Sequence, residues 1–334
     1  MKLIFWIVVG GPQVLVVGFL TTWSALALWY RLPAPEGIRL LSAGFFGLFG
    51  CVVIVALFTA NRRRAIVAFV LAFAAMALWW STIRPPVDGN WAPQFSRQVT
   101  GKVDGDILTL TGVRDFVWLS KTDFTENWET RSYDMSKLET VDVFLSYWAG
   151  PNMAHFMLSF GFEGDEYLAW SIEVRRDASG GFSPIADAFK EHSLIVLATD
   201  ERDAIGLRTN VEKDDVQMFR LRVSPEVARS LLLKYVEDAN QLAKQPQFYN
   251  SITTNCTTSV LRMMEAVGDR FALDWRLIAN GYLPDYAYDH GSIDTRVSLE
   301  ELRQLGSISE RAQLAGLAEG YSTAIREGVP SPVE

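Results

Sequence analysis

From Leu3 to Tyr30 the chain carries no charged residue. A helix needs only about 20 apolar residues to cross a bilayer, so this run is long enough to span one. Two more apolar runs follow, Leu40 to Ala60 and Ala65 to Ile83. A cleaved signal peptide would have a shorter apolar core ending in small residues, whereas the first run ends in Trp29–Tyr30–Arg31. Gly10, Gly11 and Pro12 mark either a kink in the first span or a turn lying in the interface. Between the second and third spans lies Asn61–Arg62–Arg63–Arg64, a short hairpin with three arginines. Such clusters remain on the cytoplasmic side, and Lys2 agrees. The expected topology is therefore an inner-membrane protein with a cytoplasmic N-terminus, three spans and a C-terminal domain in the periplasm. Trp79, Trp80 and Trp91 suit the outer interfacial belt.

The spans contain no acidic residue and no histidine, which argues against a proton relay or ion path. Cys51, with Gly47 and Gly50 beside it, is expected to pack between helices. The bilayer is thus the first partner, and the spans are an anchor or one wall of a lipid-facing site.

Beyond residue 83 the composition is that of an ordinary globular chain, long enough to bury one sizeable core. The net charge of -8 comes without a basic stripe, so nucleic acid is not an expected partner. Aromatic residues at 12% exclude an acidic disordered chain. The division is an anchor at 1–83, a proline-containing linker at 84–104, a soluble domain at 105–325 and a tail at 326–334.

In the soluble domain, strands are expected at Asp106 to Thr111, Thr140 to Trp148, Ala154 to Phe162, Tyr167 to Arg175, Ser193 to Ala198 and Gln217 to Val223. The middle three form an antiparallel meander around the Gly150–Asn152 and Glu163–Asp165 turns. Ser224–Pro225–Glu226 is a helix start, and that helix runs to about Lys244. A second helix begins near Thr254 and runs to Val267. The fold class is α+β, an antiparallel sheet packed by helices.

Cys256 lies in Thr253–Thr254–Asn255–Cys256–Thr257–Thr258, ahead of a helical pattern at Val260, Leu261, Met264 and Val267. A cysteine in the first turn of a helix has its thiolate stabilised by the macrodipole and by unpaired N–H groups. The plain alternative is a small buried residue. His155 lies in an apolar strand, where it is either a hydrogen-bonded core residue or a base. Glu173 lies on the next strand. If the two positions pair across the turn they face one side of the sheet, and the carboxylate orients the ring. The alternative pairs Glu173 with Arg175 or Arg176. His192 and His290 are expected to face solvent. No spacing forms a zinc site, and no cofactor or metal is expected.

The stretches VRDFVWLSKTDF (113–124), HFMLSFGF (155–162), SIEVRRD (171–177), TDERDAIGLRTN (199–210) and FYNSITTNCTTSVLR (248–262) resemble the bacterial Lnb N-terminal periplasmic domain family. That family is similar to circularly permuted papain-like thiol enzymes, in which the His strand precedes the Cys helix. The resemblance implies Cys256 as nucleophile, His155 as base and Glu173 as the orienting third residue. It implies an acyltransferase that forms a thioester and acts on lipoproteins or another lipid-linked substrate. A cell-wall amidase or peptidase of the same thiol class, or a non-catalytic scaffold, are the alternatives. Arg176, Arg202, Asp203, Arg208 and Asn210 belong to the resembling motifs. They either line an anionic head-group site or brace a loop over the sheet. Tyr249, Asn250 and Asn255 flank the nucleophile. Asn255 is a natural helix cap, and Tyr249 either contributes to an oxyanion site or packs beneath it.

Overall fold

The computed structural model of the chain describes residues 10–148, 150–178, 181, 183–251, 253–258, 261 and 274–332. It has two compact units: residues 1–86 with 183–192, and residues 87–182 with 193–334.

The first unit contains three helices long and apolar enough to cross a membrane: α1 (Gly11–Arg31), α2 (Glu36–Ala56) and α3 (Arg62–Thr82). The first of the expected spans extends into residues 3–9, which lie outside the described residues. The three arginines fall in the first turn of α3 rather than in a loop. Leu15, Phe19, Leu41, Phe45, Leu71 and Leu78 stand exposed on the helices, an apolar surface that only a bilayer covers without cost. Cys51 is also exposed, so the expectation that it packs between helices is incorrect. Its neighbour Gly50 holds that position. A Cβ there would meet the Thr21 side chain of α1 at 2.2 Å, so only glycine permits the approach. Trp23 packs edge-on against Trp80 and Phe73, with centroids 5.1 and 5.9 Å apart.

Residues 183–192 belong to this unit and include a short helix, α4 (Pro184–Ala188). Phe189 stacks on Tyr30 at 5.6 Å, and Lys190 donates to the Trp80 carbonyl at 2.8 Å. His192, expected at the solvent, is buried with Nδ1 2.6 Å from Asp187 Oδ1. Burial is possible because the carboxylate supplies a partner for the ring.

The second unit is built on an eight-stranded sheet. The strands are β1 (Thr100–Asp104), β2 (Ile107–Arg114), β5 (Trp128–Asp134), β6 (Leu138–Tyr147), β7 (His155–Phe162), β8 (Glu166–Arg175), β9 (Ser193–Thr199) and β10 (Asp215–Arg220). Their order is β1-β2-β9-β8-β7-β6-β10, with β5 paired to β2. A separate ribbon joins β3 (Val117–Trp118) to β4 (Phe124–Thr125). The sheet is mixed rather than purely antiparallel, because β2 meets β9 in parallel at Arg114 and Thr199. The chain reaches that neighbour by crossing over β6, β7 and β8, and no local pattern announces such a long-range pairing.

The meander β6–β7–β8 matches expectation. Along β7, Phe156, Leu158, Phe160 and Phe162 join the larger apolar cluster, while Met157 joins the smaller cluster on the other face. The larger cluster is sealed by α6 (Pro225–Lys244), which Ser224 caps through its hydroxyl as the sequence signalled. Its buried Ala228, Leu231, Leu232, Tyr235, Val236, Ala239 and Leu242 recur at helical spacing. The opposite face is covered by α5 (Glu201–Gly206), which one turn of π-helix (Leu207–Glu212) continues.

The join between β2, β3 and α5 rests on Asp203, which is fully buried. Arg114 donates to it from Nε and Nη2 at 2.7 and 2.9 Å, Trp118 Nε1 at 2.7 Å and the Phe116 N–H at 3.0 Å. Removing the carboxylate leaves a buried guanidinium uncompensated, which typically costs about 3–5 kcal/mol. Asp203→Ala is therefore expected to lower the thermal midpoint of the full chain sharply. A midpoint within a degree or two of the parent, by differential scanning calorimetry, would show that the network contributes little.

Candidate active site

Glu163, Gly164 and Asp165 turn β7 into β8, with Gly164 and Asp165 both at positive φ (86° and 59°). Met157 pairs with Ser171. Two residues further along, His155 therefore lies opposite Glu173, on the face shared with Met157. The geometry follows from this register. His155 Nε2 lies 2.9 Å from Glu173 Oε1 and 2.8 Å from Ser171 Oγ, and the Ser171 hydroxyl donates to Glu173 at 2.8 Å. The two side chains are only 11% and 16% exposed. Arg208, from the π-helical turn, reaches the same carboxylate oxygen at 3.8 Å and pairs with Glu212 at 2.6 Å. Thus Glu173 takes its charge partners from His155 and Arg208, not from Arg175 or Arg176.

Cys256 opens a helix, α7, described at residues 256–258 and 261; Val267, where the helix was expected to end, lies outside the described residues. Asn255 caps it. Its Oδ1 accepts from the Thr258 N–H at 2.9 Å, and the Thr258 hydroxyl accepts from the Asn255 N–H at 2.9 Å. This reciprocal pair fixes Cys256 at the first helical position. Asn250 shapes the approach by exchanging backbone hydrogen bonds with Thr254, both 3.0 Å. Tyr249 packs against the larger apolar cluster.

The Cys256 sulfur lies 3.9 Å from Thr257 Oγ1 and is near enough to the His155 ring and the Phe156 N–H to be influenced by both. His155 Nε2 is committed to Ser171 and Glu173. Burial pushes the Cys256 thiol up, but His155, with the Phe156 N–H, outweighs it and holds the thiol below its ordinary value. Burial likewise disfavours the imidazolium. The Glu173 charge and the nearby Cys256 reverse this and raise His155 to about 9. Burial disfavours the Glu173 carboxylate too, yet His155, Arg208 and Ser171 hold it well below the usual range. The arrangement favours a thiolate–imidazolium pair, the form that attacks an electrophilic carbonyl.

Asn280 also holds the site, and the sequence reading did not single it out. It is 4% exposed. Its Oδ1 accepts from the Ala154 N–H at 2.9 Å, and its Nδ2 donates to the Ala154 carbonyl and to Thr257 Oγ1, both at 2.7 Å. One amide therefore ties the residue before His155 to the residue after Cys256. The turn is tight: a Cβ on Gly281 would lie 2.0 Å from the Pro151 carbonyl oxygen. The signal available was the Asn280–Gly281 pair, a common turn dipeptide.

The remaining candidates divide. Asp203 sits in the structural network described above. Arg202 pairs with Asp200 and Asp115 at 3.2 and 3.6 Å. Asn210 donates to the Ala312 carbonyl at 3.0 Å. These three serve packing away from the Cys–His pair. Arg176 lines a polar cavity on the Glu173 side of the sheet. His290 is exposed, as expected, with its ring stacked on Tyr286, centroids 4.0 Å apart.

Residues 124–281 match the family model of the Lnb N-terminal periplasmic domain. The match encloses His155, Glu173 and Cys256, and Asn280 lies at the end of the matched stretch. No curated protein and no solved structure matches the chain. Three apolar helices together with this match fit a membrane protein with a periplasmic domain.

Two outcomes are expected. In a Cys51→Ser background, Cys256 should react with iodoacetamide at pH 6.5, well below the titration of an ordinary thiol near about 8.5. His155, raised in the fold above its ordinary value, keeps its proton until pH passes about 9, so the stability its proton adds is full below about 6.5, declines as pH rises, and is lost above about 9. His155→Ala leaves burial unopposed, and each pKa unit regained slows alkylation at pH 6.5 about tenfold. Equal rates in parent and variant would rule out the ion pair. Separately, Asn280→Ala strands the buried Ala154 N–H and carbonyl, and should cost about 1–3 kcal/mol in denaturant unfolding. It should also slow Cys256 alkylation at pH 6.5, which a cost confined to stability would not do.

Proposed function

We propose that the protein is a membrane-anchored, periplasmic thiol acyltransferase with Cys256 as nucleophile, His155 as acid and base, and Glu173 as the residue that holds the ring. The observation that carries this reading is the buried His155–Ser171–Glu173 cluster, close enough to Cys256 at its helix start to hold the thiol below its ordinary value. The arginines at the start of α3 favour a cytoplasmic N-terminus and a C-terminal domain outside.

The Cys256 thiolate attacks an ester carbonyl of a lipid-linked substrate. The tetrahedral oxyanion is stabilised by N–H groups at the start of α7. It collapses with loss of the alkoxide, which takes the proton of His155, leaving a thioester on Cys256 and a lyso product. A primary amine then attacks the thioester while His155 accepts its proton, giving an amide and the free thiolate. The Lnb match favours a lipoprotein as this substrate, with its own N-terminal amine as acceptor. A permuted papain-like order, with the His strand before the Cys helix, agrees with this chemistry.

An acyl chain needs an apolar receptor. A cavity of about 70 Å³ beside Thr257 is lined by Val143, Leu145, Phe156, Leu261, Leu277 and Leu283. It lies on the face of the sheet opposite Glu173 and supports acyl rather than peptide recognition.

Intact-protein mass spectrometry of chain purified from cells is expected to show a hydroxylamine-sensitive acyl adduct on Cys256, absent from Cys256→Ala. Cys256→Ala should also lose more than about a hundredfold in acylation of lipoprotein N-termini. Unchanged lipoprotein acylation in cells carrying only Cys256→Ala would overturn the reading.

A further inference from the structure

A second cavity, of about 270 Å³, lies on the opposite face of the sheet from the apolar one. That volume is near the lower end of small-molecule pockets. Its wall shares Glu173 and Ser171 with the catalytic constellation, and four cations line it: Arg114, Lys121, Arg176 and Arg208. Two of these are accounted for. Arg114 is held by Asp203 at 2.7 Å, and Arg208 by Glu212 at 2.6 Å. The acidic residues in the wall are accounted for as well, since Glu212 is engaged by Arg208 and Glu173 by His155 at 2.9 Å.

Arg176 and Lys121 remain, and among the described residues neither makes an ion pair or a side-chain hydrogen bond. The Arg176 guanidinium lies over the Phe95 ring at 5.5 Å, and its Nε is buried with no acceptor. A buried guanidinium N–H without a partner is costly, and nothing among the described residues relieves it. The surplus of two positive charges in a walled cavity, one a planar fork and the other a mobile ammonium, matches a tetrahedral oxyanion.

We propose that this cavity is a phosphate-binding subsite, which places a phosphorylated group of the ligand against Arg176 and Lys121. As a substrate subsite it rests on the thiol-enzyme reading of Cys256. It then implies that a phospholipid ester, rather than the lipoprotein itself, supplies the acyl chain, with the lipoprotein kept as the amine acceptor. The alternative source of the same chemistry is free inorganic phosphate.

The test is calorimetric titration of the full chain in dodecyl maltoside micelles with inorganic phosphate, dihexanoylphosphatidylglycerol and acetate. At least one phosphate probe is expected to bind, and more tightly than acetate. Binding of the lipid alone assigns a headgroup, and equal binding of both phosphates assigns the free ion. Arg176→Met, which keeps the stem over Phe95, should weaken binding about tenfold or more. Lys121→Met, at an exposed position that leaves the fold intact, should weaken it about threefold. Cys256→Ser should bind as the parent does, so a failed acyl-transfer reading and a failed phosphate site are read separately. The proposal is overturned if neither phosphate binds, if acetate binds as tightly, or if both cation variants match the parent.

Discussion

A carboxylate buried in a β-sheet has to be neutralised, and Glu173 is neutralised from two directions. His155 approaches along the sheet at 2.9 Å and Arg208 from the helical layer above it at 3.8 Å. The first contact follows from strand register, because a slip of one residue would turn His155 to the opposite face. The second follows from the π-helical turn that carries Arg208 over the sheet, a wide turn of the kind often found at functional positions. With both in place the imidazole keeps its proton, and a protonated imidazole beside Cys256 favours the thiolate. The charge state of Cys256 is therefore set by a contact on the far side of the ring.

The sheet also divides two chemistries. The α6 face is packed with leucine, valine and aromatic side chains and opens into an apolar cavity next to the cysteine helix. The α5 face carries His155, Ser171 and Glu173 and opens into a cationic cavity. Cys256 packs against the first cluster yet has its thiol lowered by a ring that belongs to the second face. This is possible because His155 is the first residue of its strand, where the sheet ends and both faces are accessible. Asn280 stabilises that junction by binding the backbone just before β7 and the side chain just after Cys256.

Much of this was legible in the sequence wherever a local signal sufficed. The three apolar runs, the β6–β7–β8 meander, the Ser224–Pro225 start of α6 and the Asn255 cap each depend on residues within a few positions of one another. The pairing of His155 with Glu173 was also readable, because a short turn sets the register of a hairpin. Signals failed where the partner is distant in sequence. Asn280 contacts Ala154 across 126 residues, Asp203 contacts Arg114 across 89, and β2 meets β9 in parallel. Cys51 and Gly50 exchanged their expected roles because helix rotation, set by packing against Thr21, decides which neighbour faces inward.

The sequence by itself determined that the chain has an apolar three-helix segment, an α+β domain and a cysteine at a helix start, with a histidine and a glutamate on adjacent strands. Hydrophobic periodicity and capping are local properties, so no partner was needed to read them. Only the tertiary structure decided that the cysteine helix meets the histidine strand, that Arg208 rather than Arg175 or Arg176 balances Glu173, and that among the described residues the Arg176 Nε has no acceptor. Those outcomes depend on which surfaces meet when the sheet closes on its helices, and charge pairing across such distances has no signature along the chain.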